Sequence, residues 1–171
     1  MTRRRVVILA AAAILGCNKN STGPAQGVSS SCTVNLSGAI SGTYDCRPAT
    51  TSWSGTTDDA GFSFGVRASG TEPVIGLAIV WLGEPADTTY HNTDAGAQAD
   101  ISVTSGNQTW LATVGEGPPA AGTYSLTFSS VVINSSAASG KLYATDGTVT
   151  ATLPAVTATG ASGVVILSAT F

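Results

Sequence analysis

Apolar residues recur at every second position over much of this chain, which is the period of a strand with one buried face. Phe62, Phe64 and Val66 alternate with Ser63, Gly65 and Arg67, and Tyr124, Leu126 and Phe128 alternate in the same way within residues 123–133. Residues 74–82 (VIGLAIVWL) are continuously apolar and read as a strand buried on both faces. Turn residues separate these runs. Residues 99–104 and 109–114 flank Ser105-Gly106-Asn107-Gln108, a hairpin signal. Residues 141–145 and 148–153 flank Asp146-Gly147, the dipeptide of a two-residue type I′ turn. Asp58-Asp59-Ala60-Gly61 reads as the turn between a strand at 50–56 and the Phe62 strand. Residues 83–98, with Pro85, Asn92 and Gly96, read as a long loop that admits a short helix at 94–100. Residues 115–122, with Pro118-Pro119, read as another loop, and residues 163–171 as the last strand. Roughly ten strands at this spacing suit a sandwich or a barrel. The expected fold of residues 32–171 is therefore all-β, an antiparallel two-sheet β-sandwich.

Composition agrees. The 171 residues suffice for one domain. Charged residues make up 10% of the chain, against about 25% in an average globular protein. Polarity comes instead from 20 Ser and 24 Thr. Threonine, like Val and Ile, favours strands because its branched Cβ packs well on a pleated surface. After Gly16 the only basic residues are Lys19, Arg47, Arg67 and Lys141, set against all ten acids. Such a surface has no basic face to neutralise phosphates, so nucleic acid is excluded as a partner.

The first residues differ in kind. Arg3, Arg4 and Arg5 precede a ten-residue apolar stretch, 6–15. That stretch is too short to span a bilayer, which takes about 20 residues, and reads as a signal peptide. Ile14-Leu15-Gly16-Cys17 resembles the lipobox of bacterial lipoproteins, cut by the lipoprotein signal peptidase. The resemblance implies a diacylglyceryl group on the Cys17 sulfur, cleavage before Cys17 and acylation of its new amino group. Residues 1–16 are then the signal peptide, and membrane lipid is a partner through Cys17. Stable attachment takes about two membrane signals, and a lipoprotein anchor supplies two or three chains. Asn18, rather than Asp, follows the cysteine, which by similarity to lipoprotein sorting in enteric bacteria points to the outer membrane. Residues 18–31 (NKNSTGPAQGVSSS) form a polar tether. If flexible, it spans roughly 20 Å.

Export places the remaining cysteines, Cys32 and Cys46, in an oxidising compartment where a disulfide forms. Val34 and Leu36 alternate between them before glycines at 38 and 42, so the bond is expected across a hairpin. C-x-x-C spacing, the mark of a redox pair, is absent.

Candidate chemistry is sparse. Gly61-Phe62-Ser63-Phe64-Gly65 matches G-x-S-x-G, but that motif needs a strand, a sharp turn and a helix, and here lies within one strand pattern. His91 is the only histidine, so no zinc site of usual type is expected. Asp58, Asp59, Asp87, Asp94 and Asp100 lack the spacing of a calcium loop. Trp81 lies in the most apolar run and reads as core. Trp53 and Trp110 lie in Thr-rich strands and are the candidate ligand-binding residues, because aromatics beside hydroxyl side chains can stack on sugars. Val165, Leu167, Ala169 and terminal Phe171 resemble the last strand of outer-membrane β-barrels, although such a barrel carries aromatic girdles and only 6% of this chain is aromatic. The expected function is non-enzymatic and cofactor-free: an envelope lipoprotein with a binding or structural β-sandwich whose partner is a glycan or an envelope protein. The alternatives are a carbohydrate-binding module, a small outer-membrane barrel and an enzyme on a β scaffold.

Overall fold

The computed structural model describes residues 32–47, 49–66, 73–115 and 121–171. The signal peptide, Cys17 and the tether lie outside the described residues. The described chain is almost entirely antiparallel β. Eleven strands follow one another as β1 (Cys32–Gly38), β2 (Gly42–Cys46), β3 (Thr50–Ser54), β4 (Asp59–Val66), β5 (Val74–Leu82), β6 (Thr89–His91), β7 (Gln98–Ser105), β8 (Gln108–Val114), β9 (Thr123–Ala137), β10 (Gly140–Pro154) and β11 (Val164–Thr170). A single 3-10 turn, Thr157–Thr159, precedes β11.

All eleven strands belong to one connected sheet, in the order β2-β1-β11-β10-β3-β4-β5-β7-β8, with β9 beside β10 and β6 beside β9. The long strand β10 is the fork. One edge pairs with β9 from Gly140 to Thr152. The other edge pairs first with β3, as far as Tyr143↔Thr51, and then with β11, from Thr148↔Thr170. The sheet thus divides into a β3-β4-β5-β7-β8 lobe and a β2-β1-β11 lobe. The far edge of the first lobe returns to β9 and β10 through isolated bridges, Thr113↔Ala121 and Trp110↔Ala155.

Inward residues of both lobes make one core. Phe62 on β4 packs against Phe171 beyond β11, with ring centroids 4.4 Å apart, and against Phe128 on β9 at 5.7 Å. Trp81 on β5 and Tyr90 on β6 extend the cluster, 4.5 Å apart. The buried rings of Phe62, Trp81, Phe128 and Phe171 are each worth about 1.5–3 kcal/mol of transfer free energy, and Tyr90 is partly buried beside them. Val34, Ile79, Ile101, Val149, Leu153 and Leu167 are fully buried around it.

Asp146-Gly147 is not a turn. Neither residue has a positive φ, which a type I′ turn requires at both centres. The chain runs straight through, and β10 slips register against β9 there, Asp146↔Ser130 being followed by Gly147↔Phe128. This is a β-bulge. The Gly147 N–H donates to the Phe171 carbonyl at 2.9 Å, and the Phe171 N–H donates to the Gly147 carbonyl at 3.1 Å. A Cβ on Gly147 would strike the Thr127 carbonyl and stand 2.9 Å from Phe171 Cζ. Glycine is present for close approach, not for a left-handed φ. The real β9–β10 turn is Ala138-Ser139, as the pair Gly140↔Ala137 places it.

Three further expectations are corrected. Residues 74–82 form a strand buried on one face only: Ile75, Leu77, Ile79 and Trp81 point inward, while Val74 and Leu82 are 54% and 55% exposed. Gly76 and Ala78 keep the outer face small, so the apolar run overstates its burial. The turn before β4 is 55–58, three residues earlier than Asp58–Gly61 suggested, and Asp59 already pairs with Leu82. Residues 83–98 hold the short strand β6, and 94–100 is no helix. The Asp94 carboxylate instead accepts from the His91 N–H at 2.7 Å, the Ala97 N–H donates to the Asp94 carbonyl at 3.1 Å, and β7 begins at Gln98.

Cys32 and Cys46 are register partners on β1 and β2 and are disulfide-bonded, with Cα atoms 5.0 Å apart. Reduction, or replacement of both by Ala, should lower unfolding free energy by about 3 kcal/mol, read from denaturant melts. Gly147→Ala should cost about 2–3 kcal/mol in the same melts. Gly61→Ala, where the nearest atoms lie 3.9 Å from the new Cβ, should stay within about 0.5 kcal/mol of the parent.

Candidate functional site

Trp110 on β8 is 2% exposed, and its Nε1 donates to the Ser162 carbonyl at 3.2 Å. It is a core residue, tying β8 to the segment before β11, and offers no ring face to a ligand. A Thr-rich strand misled because the Thr side chains take the outer face and leave the indole inward.

Trp53 on β3 is half-buried and belongs to a polar corner. Its register partner is Lys141 on β10, whose Nζ lies 5.1 Å from the indole centroid, in cation–π range. The indole Nε1 donates to Asp58 Oδ1 at 3.0 Å. Asp58 is the one non-glycine residue with positive φ (58°) among the described residues, and its carbonyl accepts from the Gly83 N–H at 2.8 Å. Lys141 Nζ donates to both Glu84 oxygens, at 2.7 and 2.8 Å, and the Tyr143 hydroxyl donates to Glu84 Oε2 at 2.8 Å. Below them the Thr51 and Thr145 hydroxyls are buried and 2.8 Å apart. Glu84 and its partners lie 57 and 59 positions apart, so only the β3-β10 pairing assembles the corner.

The hydrogen bond from Lys141, and then that from Tyr143, hold the Glu84 carboxyl below its usual range. Burial first, and then Glu84, push the Tyr143 phenol up to about 12. An ionised Glu and a neutral Tyr, each already engaged, leave no poised proton donor or acceptor near neutrality. One Trp53 face and its N–H are also committed. The corner fastens the β5–β6 connection to β3 and β10.

Trp53 and Trp110 do not converge: β4, β5 and β7 separate their strands. Ser63 is exposed in mid-β4, with no turn at the motif. His91 is exposed on β6. Among the described residues no three His, Cys, Asp or Glu side chains gather as a metal site.

A regular feature of the described surface is the outward face of β2, β1, β11, β10, β9 and β6. Registers align one row across all six strands as Asp45, Thr33, Thr170, Thr148, Thr127 and Thr89. The next row is Thr43, Asn35, Ser168, Thr150, Ser125 and His91. Thr152, Ile166 and Ser37 continue a third row. Thr148, Thr150, Thr152, Ser168 and Thr170 are exposed. Ionisable groups stand only at the margins: Asp45 and His91 on the edge strands, and Asp146 at the bulge. The signal was present in the sequence as T-V-T-A-T at 148–152, but alternation alone does not reveal which strands lie side by side.

Because Tyr143 keeps its proton longer folded than unfolded, its contribution is complete below about pH 10 and is lost as pH rises toward its folded value of about 12. Stability should therefore fall between pH 10 and 12, and Tyr143→Phe should make that fall shallower in pH-dependent melts. Part of it should persist, since burial also pushes Tyr124 up to about 12. No protein-family model, curated protein or solved structure matches the chain.

Proposed function

We propose that this protein is an exported lipoprotein, held on the outer membrane by acylated Cys17, whose β domain is a non-enzymatic binding or structural module of the cell envelope. The observation that carries the reading is the register-matched Cys32–Cys46 disulfide. It fits an oxidising compartment and uses the two cysteines other than Cys17. The Ile14-Leu15-Gly16-Cys17 sequence after an apolar stretch supplies the lipidation signal. The tether then lets the domain stand about 20 Å from the headgroups.

Within the domain, the two lobes of the sheet act as the layers of a β-sandwich. Contacts of Phe62 with Phe128 and Phe171 support this, since they join inward faces of strands on opposite sides of the fork. The outer-membrane barrel fits less well. Val165, Leu167, Ala169 and Phe171 are buried, and outward neighbours such as Thr148, Thr150 and Ser168 are not the apolar band that lipid requires.

Metabolic labelling of producing cells with an alkyne fatty acid tests the anchor. The mature protein should carry label, Cys17→Ala should not, and globomycin should cause a larger, unprocessed precursor to accumulate. Unlabelled mature protein, with processing indifferent to globomycin, would refute the assignment.

A further inference from the structure

We propose that the outward face of β2, β1, β11, β10, β9 and β6 binds neutral polysaccharide chains. The inference rests on reading the domain as a binding module, and it replaces Trp53 and Trp110 as the recognition surface. Adjacent strands lie about 4.8 Å apart and same-face residues about 6.8 Å apart along a strand, so the rows form a grid of hydroxyls some 24 Å wide. Each Thr offers a donor, acceptor lone pairs and a methyl group. That mixture matches a sugar ring, which presents hydroxyls at its rim and C–H groups on its faces. Ile166 and Val164, 49% and 43% exposed, add an apolar strip along β11 within the same face. At the flanks the hydroxyls are already oriented across strands: Thr43 donates to Asn35 at 2.7 Å, and the Thr89 and Thr127 hydroxyls lie 2.9 Å apart.

Charge selects the ligand class. No Lys or Arg occupies an outward position within these six strands, and the exposed Arg47 stands just beyond β2 at the edge of the face. Phosphate-rich partners and anionic lipid need such groups. At the rim Asp146 is unaccompanied by a cation on its own strand face, and Asp45 is balanced by Arg47, so no net positive edge forms. A neutral polyhydroxyl chain loses no ion hydration on docking and exchanges its water hydrogen bonds for those of the grid. Strands twist by roughly 20–25° per step, so the face follows individual hydrated chains rather than a flat crystal plane. A peptide strand needs a sheet edge for its backbone, whereas the centre of this face is β11 and β10, paired on both sides.

Affinity electrophoresis provides the test. The full-length mature protein, in mild detergent, is run through native gels containing hydroxyethylcellulose, xyloglucan, galactomannan or alginate, each against a glycan-free gel. At least one neutral glycan should retard it. Thr150→Arg with Ser168→Arg, neighbours at the centre of the face, should weaken that retardation about tenfold or more. Thr150→Val with Ser168→Val, which keeps strand propensity, should weaken it about threefold, and circular dichroism melts check that both fold. Trp53→Ala should bind as the parent does. No retardation by any neutral glycan, or retardation by alginate alone, overturns the proposal. So does equal retardation of the folded face variants. Binding lost in Trp53→Ala alone would leave a binding module but move its site to the β3–β10 corner. A dimer in light scattering that the arginine pair dissociates would assign the face to a second copy and overturn the glycan reading. The fatty-acid labelling result is independent of all these outcomes.

Discussion

Gly147 has no side chain, and the two lobes of the sheet meet where it sits. Strand β10 must leave β3 after Tyr143 and join β11 at Thr148, while β9 stays paired on its other edge. That change of partner needs an irregularity, and the bulge at Ser129 of β9, opposite Asp146-Gly147, supplies it. The Phe171 backbone then closes on Gly147 through two hydrogen bonds, and its ring is delivered against Phe62 and Phe128. A Cβ at position 147 would hold Phe171 and the Thr127 backbone away. The joint core, and the alignment of rows across the outer face, both depend on this one close approach.

Low charge gives the domain its other character. With few ion pairs available, hydroxyl and backbone groups carry the polar surface, and the one described salt bridge, Lys141–Glu84, is used at a corner where β3, β10 and the β5–β6 connection meet. An exposed pair of this kind contributes little by itself. Its value is positional, because the same carboxylate also holds Tyr143 and the same ammonium covers Trp53. The disulfide restrains β2, an edge strand at the end of the sheet path, against β1.

Strand content was legible in the sequence because Phe62-Phe64-Val66 and Tyr124-Leu126-Phe128 announce a period of two without help from distant residues. The Cys32–Cys46 hairpin and the Gly106-Asn107 turn were legible for the same local reason. Three things were not. Asp146-Gly147 carries the turn dipeptide, but its glycine answers a steric demand made by Thr127 and Phe171, which no local window contains. Val74 to Leu82 looked doubly buried because small apolar residues tolerate an outer face. The Glu84 corner and the hydroxyl rows arise from pairing between residues dozens of positions apart. Trp110 shows the converse error, since its polar neighbours belong to the opposite face of its own strand.

Native-state hydrogen exchange of the Gly147 and Phe171 amides tests this architecture most directly. If their mutual hydrogen bonds close the fork, both amides should exchange as slowly as those of Val149 and Leu167, through global unfolding. Exchange at the rate of the exposed turn amides Gly106 and Ser139 would mean that β10 is broken at Asp146-Gly147 and that the two lobes are not joined there.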